Sequence, residues 1–164
     1  MLSDWLDAHR PSETATPRLL HLDFHPINLI ARHDGECVAL DWSEADVGDI
    51  HADVATTILL MRHVTPGPLA LTERLLSPVV RWVLERGYRR VYCRSTPLDE
   101  ERLHYYLAWA CLRRLAMYGM WLNAGPQCNG SKKCALERIT PEHVAELEGC
   151  FATLTGVMPD LGRF

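Results

Sequence analysis

Long hydrophobic runs are missing from this sequence. Its longest strongly apolar stretch, Val54 to Met61, falls well short of the ~20 residues that a membrane-spanning helix needs. The opening Met1-Leu-Ser-Asp-Trp5 carries an acid early and lacks the charged-then-apolar pattern of a secretory leader. These absences predict a protein of the cytoplasm with no membrane partner. The six cysteines, at 37, 93, 111, 128, 134 and 150, include no CxxC pair, and a domain of this size needs no disulfide staples. Cys128 and Cys134 bracket a Gly/Ser/Lys loop, yet idle thiols are the expectation throughout. A basic stripe is lacking too. The net charge of -4 gives no electrostatic ground for nucleic acid, and Arg86, Arg89, Arg90 and Arg94 read as a solvated loop. No internal repeat is present.

What remains is an ordinary globular composition. The chain has 164 residues, 48% hydrophobic and 23% charged, which predicts a single domain, 1–164, with a real core. Ser3 can cap a short first helix carrying Trp5, Leu6 and Ala8, and residues 11–17 form a proline-bearing connector. Arg18 to Leu22 begins an extended segment. Asn28–Arg32 and Cys37–Leu40 are β-prone runs separated by Asp34-Gly35, a strong hairpin signal. From His51 the period becomes helical, through Val54, Ile58, Leu59 and Met61, until Thr65-Pro-Gly-Pro. A helix from Leu71 to Arg86 should stop at Gly87. Thr96, Pro97 and Asp99 read as N-cap, first residue and capping box of a long helix to Leu122. Thr140-Pro141 opens a last helix to about Leu154.

The polar residues that stand out all lie in the first third. Asp23, Asn28 and Asp41 are set among apolar neighbours, with Asn28 and Asp41 at the outer ends of the predicted hairpin. A hairpin returns its outer ends to within about 5 Å, one inter-strand spacing. Asp23 precedes Asn28 by five residues across a loop stiffened by Pro26. The fold-back therefore gathers two carboxylates and an amide oxygen, a hard-oxygen set suited to Mg²⁺. Such a set can serve phosphoryl transfer, with Asp23, outside the hairpin pair, the natural candidate to take the proton of an acceptor hydroxyl.

Those residues carry a resemblance. His21-Leu-Asp23-Phe-His25-Pro-Ile-Asn28 resembles the H-G-D-x-H-x-x-N catalytic loop of the aminoglycoside phosphotransferase and choline kinase family, relatives of protein kinases. Asp41-Trp42-Ser43 resembles the D-W-[ED] metal-binding segment, and Gly48-Asp49 with Asp53 the G-D-P-x-x-D-L-A continuation. The resemblance implies an α+β, mainly helical fold: a kinase-like C-terminal lobe whose small β-hairpin carries the catalytic and metal segment, 19–53, over a helical scaffold, 54–164. It implies Asp23 as catalytic base, Asn28 and Asp41 as magnesium ligands, and Asp53 as a brace for the catalytic loop. His21 and His25 would support that loop. The implied cosubstrate is ATP or another nucleoside triphosphate, with a small-molecule hydroxyl as acceptor.

Two departures from the pattern stand out. Leu22 replaces the usual Gly, and Ser43 stands where an acid is common. The family's N-terminal lobe, with its nucleotide-covering strands and phosphate-pairing lysine, has no counterpart here; the lysines are Lys132 and Lys133, in a late loop. The expectation is thus a truncated phosphotransferase that takes its N-lobe from elsewhere or self-associates through the exposed lobe surface. Two alternatives stand beside it. One is a non-catalytic, degenerate kinase-like binding module. The other is a zinc-dependent hydrolase built on the alternating His21, Asp23 and His25, which lacks a second spaced ligand pair. The acids 41, 44, 46, 49 and 53 could attract a cationic acceptor or simply be solvated. Tyr105, Tyr106, Trp109, Tyr118 and Trp121 read as core.

Overall fold

The computed structural model describes residues 2–13, 16–63, 71–124 and 140–159, with the side chains of 2, 3, 71–77 and 121–124 left aside. The Thr65-Pro-Gly-Pro stop, Cys128, Cys134, Lys132 and Lys133 lie outside the described residues, as do the side chains of Ser3 and Trp121. The protein is mainly helical with two small antiparallel sheets. Helix α1 (Leu2–Ala8) is followed by strands β1 (Arg18–Leu20), β2 (Leu29–Ala31), β3 (Cys37–Ala39) and β4 (Asp46–Gly48). Helices α2 (Ile50–His63), α3 (Leu71–Ser95), α4 (Glu100–Ala124) and α5 (Pro141–Thr155) follow among the described residues. Two compact units result, residues 11–106 and residues 1–10 with 107–164, the division falling within α4.

The Asp34-Gly35 signal makes the turn expected of it. Gly35 adopts φ +86°, in the left-handed region that glycine enters without a Cβ penalty. Arg32 accepts from the Gly35 N–H at 3.1 Å and donates to the Glu36 carbonyl at 2.8 Å. The strands pair Leu29 with Ala39, Ile30 with Val38 and Ala31 with Cys37. One further bond, from the Leu40 N–H to the Asn28 carbonyl at 2.8 Å, carries the ladder to Asn28. In this register Asn28 faces Leu40, so Asp41 begins one residue beyond the last bond.

The second sheet has no clear sequence signal. β1 pairs with β4, Arg18 to Gly48, Leu19 to Val47 and Leu20 to Asp46. Asp46-Val47-Gly48 is short, acidic and largely exposed, without the β-branched run that marks a strand. Its effect is to hold the two ends of the 21–45 segment together, with the 21–28 loop leaving β1 and α2 following β4.

In the 11–106 unit, α2 is the core helix. From His51 to Leu60 every residue is buried except Asp53, and Val54, Ala55 and Ile58 are wholly so. A helix apolar on all sides belongs inside. Leu20, Leu22 and Leu103 are buried in this unit too. In the other unit Leu107, Ala108, Cys111, Leu115, Leu147 and Phe151 are buried. α5 begins and ends as its sequence directs. Thr140 accepts from the His143 N–H, Pro141 is the first residue, and Gly156 closes the helix at φ +72°.

Three expectations need correction. α3 does not stop at Gly87 but runs on to Ser95. A lone Gly costs a helix only about 1 kcal/mol, and Tyr88 and Tyr92 beyond it make ring contacts with Phe24 and with each other. In consequence Arg86, Arg89, Arg90 and Arg94 lie on a helix, not in a loop. α4 starts three residues later than the Thr96 cap would have it. Asp99 is the true cap, its Oδ1 accepting the N–H groups of Glu101 (2.9 Å) and Arg102 (3.2 Å). A carboxylate that reaches two free N–H groups outcompetes a more distant threonine hydroxyl.

Candidate active site

The 21–28 loop leaves β1 at Leu20 and turns sharply. Leu22 sits at φ +58°, where a side chain is strained and glycine is not. Its side chain is nonetheless buried, at 4% exposure, so apolar burial offsets the strain. The turn is held from beneath by Asp53, whose Oδ1 accepts the backbone N–H groups of His21 at 2.9 Å and Leu22 at 2.7 Å.

His21 is buried and ties the loop to the strand before Asp41. Its Nδ1 accepts the Asp23 N–H at 3.3 Å, so the ring proton is on Nε2, which reaches the Leu40 carbonyl at 2.9 Å. The ring also packs edge-on to Phe24, with centroids 5.9 Å apart, and tilted against Trp42 at 4.6 Å. Both of its nitrogens are thus engaged with backbone. Among the described residues no three His, Cys, Asp or Glu side chains group as a metal site.

Beyond Asp23 the chain makes a 3₁₀ turn, Pro26–Asn28, started by Pro26 and capped by His25, whose Nδ1 accepts the Ile27 N–H at 3.3 Å. This turn aims Asn28 back at Asp23. Asn28 Nδ2 donates to the Asp23 carbonyl at 2.9 Å and to Asp23 Oδ2 at 3.0 Å. With its nitrogen committed, the amide has Oδ1 left to offer a cation. His25 Nε2 stands 3.6 Å from the same Asp23 oxygen. Asp23, His25 and Asn28 are therefore brought into one cluster, partly open to solvent.

Asp41 follows β3 at φ +57°, in the left-handed region that Asp tolerates better than most residues. Its Oδ1 accepts from the Ser43 hydroxyl at 2.6 Å and the Ser43 N–H at 3.4 Å. Ser43, standing where an acid is common, thus orients the Asp41 carboxylate. The side chain is exposed, as an incoming ligand would require. Asn28 Oδ1 and the Asp41 carboxylate are oxygen donors of the kind a hard cation takes.

Four residues near the loop carry no motif that would single them out. Tyr88 meets Phe24, centroids 6.3 Å apart, and Tyr92 meets Tyr88 at 5.7 Å. Burial pushes the Tyr88 phenol far above its ordinary range; the Thr57 hydroxyl beside it works the other way and the Asp53 charge adds to the rise. His51 and Arg102 converge on Asp49, with distances of 2.5 Å from His51 Nδ1 and 2.7 Å from Arg102 Nη1. The one sequence signal for the tyrosines was their spacing of four, which places both on one helical face.

A family model described as a phosphotransferase enzyme family matches residues 1–118. The chain belongs to the phosphotransferase enzyme family. No curated protein and no solved structure matches it. The phosphotransferase match takes in both sheets, α1, α2, α3 and most of α4, and every site residue named above, whereas α5 lies beyond it. Family membership agrees with the resemblance carried by the 21–53 segment.

Proposed function

We propose that this chain carries the base and the magnesium-holding residues of a phosphotransferase that moves the γ-phosphoryl group of ATP, or another nucleoside triphosphate, to a hydroxyl of a small acceptor. The observation that carries this reading is the clamp of Asn28 on Asp23. One amide fixes the loop carbonyl and the carboxylate together, beside a cation ligand.

Asn28 Oδ1 and the Asp41 carboxylate would hold Mg²⁺, which neutralises charge on the phosphates when bound. Asp23 orients the acceptor hydroxyl and takes its proton. As the acceptor oxygen bonds to the γ-phosphorus, the bond to the bridging oxygen breaks and the nucleoside diphosphate leaves. His25, 3.6 Å from Asp23 Oδ2, and Asn28 keep that carboxylate in place, so the hydroxyl meets a pre-set acceptor. Asp53 holds the loop backbone beneath them. No helix among the described residues is long and apolar enough to cross a membrane, which suits a reaction on dissolved metabolites.

Phosphoryl transfer from ATP to amino sugars, choline and homoserine tests the reading, with the chain alone and mixed with an ATP-binding lobe from a family member. Asp23→Ala should lower the transfer rate by about 10²- to 10⁴-fold, the usual contribution of a positioned base. Equal rates with and without Asp23 would defeat it. Nucleotide binding without transfer to any acceptor would favour the non-catalytic kinase-like module instead.

A further inference from the structure

The start of α2 is a joint between several segments; Asp53, the brace of the loop, lies in its first turn, while Asp49 and His51 have no role above in base, metal or loop support. Asp49 caps the helix, with Oδ1 accepting the His51 N–H at 3.0 Å and its carbonyl the Ala52 N–H at 3.0 Å. The His51 ring is buried, at 7% exposure, and lies parallel to Tyr106 with centroids 6.5 Å apart. Its Nε2 takes the backbone N–H of Asp99 at 2.9 Å. A backbone N–H needs a lone pair, so the ring proton sits on Nδ1 and goes to Asp49 Oδ1. The other Asp49 oxygen holds Arg102, whose second nitrogen reaches Ser12 Oγ at 2.8 Å. Asp99 in turn caps α4.

We infer that His51 is a positioning residue: through Nε2 it fastens the beginning of α4 to the first turn of α2, and so fixes the Asp53 carboxylate that carries the catalytic loop. His51 and Asp53 are two residues apart in that turn, and Asp53 Oδ1 is the shared acceptor for His21 and Leu22. Any rotation of the turn moves that oxygen and the loop with it. Imidazole suits the place because a rigid ring presents a donor and an acceptor on opposite sides. Asn keeps a donor near the Nδ1 position but offers nothing to Asp99. Gln keeps an acceptor near the Nε2 position.

The part His51 plays in transfer rests on the phosphotransferase reading; the mechanical link from Asp99 to the loop does not. The test is amide hydrogen exchange on the intact chain, read by NMR at His21 and Leu22. His51→Asn should speed exchange at both amides about tenfold, the scale of one lost hydrogen bond, while His51→Gln stays near wild type. Equal behaviour of the two variants overturns the inference. So does faster exchange confined to Glu101 and Arg102, which would make His51 only a local support for α4. If His51→Asn does not fold, wild-type nitrogen NMR decides. A coupling across the bond from the Asp99 N–H to Nε2 is expected, and a proton on Nε2 overturns it. In the transfer assay His51→Asn should lower kcat and leave the acceptor KM unchanged. Absence of transfer in wild type would sink the functional reading alone, with the exchange result intact.

Discussion

Asp53 Oδ1 stands 2.9 Å from the His21 nitrogen and 2.7 Å from the Leu22 nitrogen, so one carboxylate oxygen receives two consecutive backbone N–H groups. Consecutive amides converge on one point only where the chain turns sharply, and Leu22 at φ +58° is that turn. Asp53 comes from α2, more than thirty residues later in sequence, so the core helix and the loop are built as one object.

Removing that oxygen should loosen the loop more than any other single change on α2. Asp53→Ala leaves two part-buried N–H groups without an acceptor, at a cost of about 2 kcal/mol. The urea midpoint should fall accordingly, and exchange at the His21 and Leu22 amides should quicken. A midpoint equal to wild type would show that solvent satisfies both groups.

How much of this was legible beforehand differs from element to element. Asp34-Gly35 announced the hairpin because a turn with φ above zero admits few residues. Asp23, Asn28 and Asp41 stood out as polar groups in apolar surroundings. β4 was hidden because its pairing with β1 links residues far apart in sequence, and Asp46-Val47-Gly48 has no local preference for a strand. Asp99 reads in the sequence as the capping-box partner of Thr96, because Thr-Pro is the stronger local start signal. What decides the cap is the reach of the carboxylate to Glu101 and Arg102, together with the His51 ring behind it. In the sequence His51 marks only where the helical period begins. Only the fold reveals that both its ring nitrogens are used.

At position 22 the usual order of Gly and Ala should reverse. Ala is ordinarily the more stable of the two, because Gly loses more backbone freedom on folding. At φ +58° any Cβ costs about 1 kcal/mol that glycine avoids. Both variants lose the buried leucine side chain, so their difference isolates the backbone. Leu22→Gly should therefore unfold at higher urea than Leu22→Ala. The opposite order would mean that the left-handed turn is not kept in solution.

Acid should weaken the protein partly through Asp49. Burial alone would raise its carboxyl, but hydrogen bonds from the His51 backbone and ring and from the Arg102 guanidinium outweigh this and hold it below the ordinary 3.8. A carboxyl depressed in the folded state stabilises above its unfolded value, and that contribution fades as pH falls through the folded one. Asp49→Asn should thus be less stable than wild type at pH 7, with the gap narrowing below about pH 4. Urea midpoints measured at a series of pH values check this. A gap that stays constant down to about pH 2 would assign the difference to lost geometry and not to charge.

Asp41 offers the cleanest separation of site from scaffold. It is exposed, its Oδ1 accepts from the hydroxyl and N–H of Ser43, and its backbone lies in the left-handed region. Asn tolerates that region about as well as Asp and can still accept from Ser43, so Asp41→Asn should leave the urea midpoint unchanged. It removes the negative charge, however, and a hard divalent ion depends on charged oxygen ligands. Mn²⁺, followed by electron paramagnetic resonance in the presence of ATP, should bind at least about tenfold more weakly to the variant than to wild type. Equal Mn²⁺ affinity at equal stability would remove Asp41 from the metal site and leave Asn28 without a charged co-ligand.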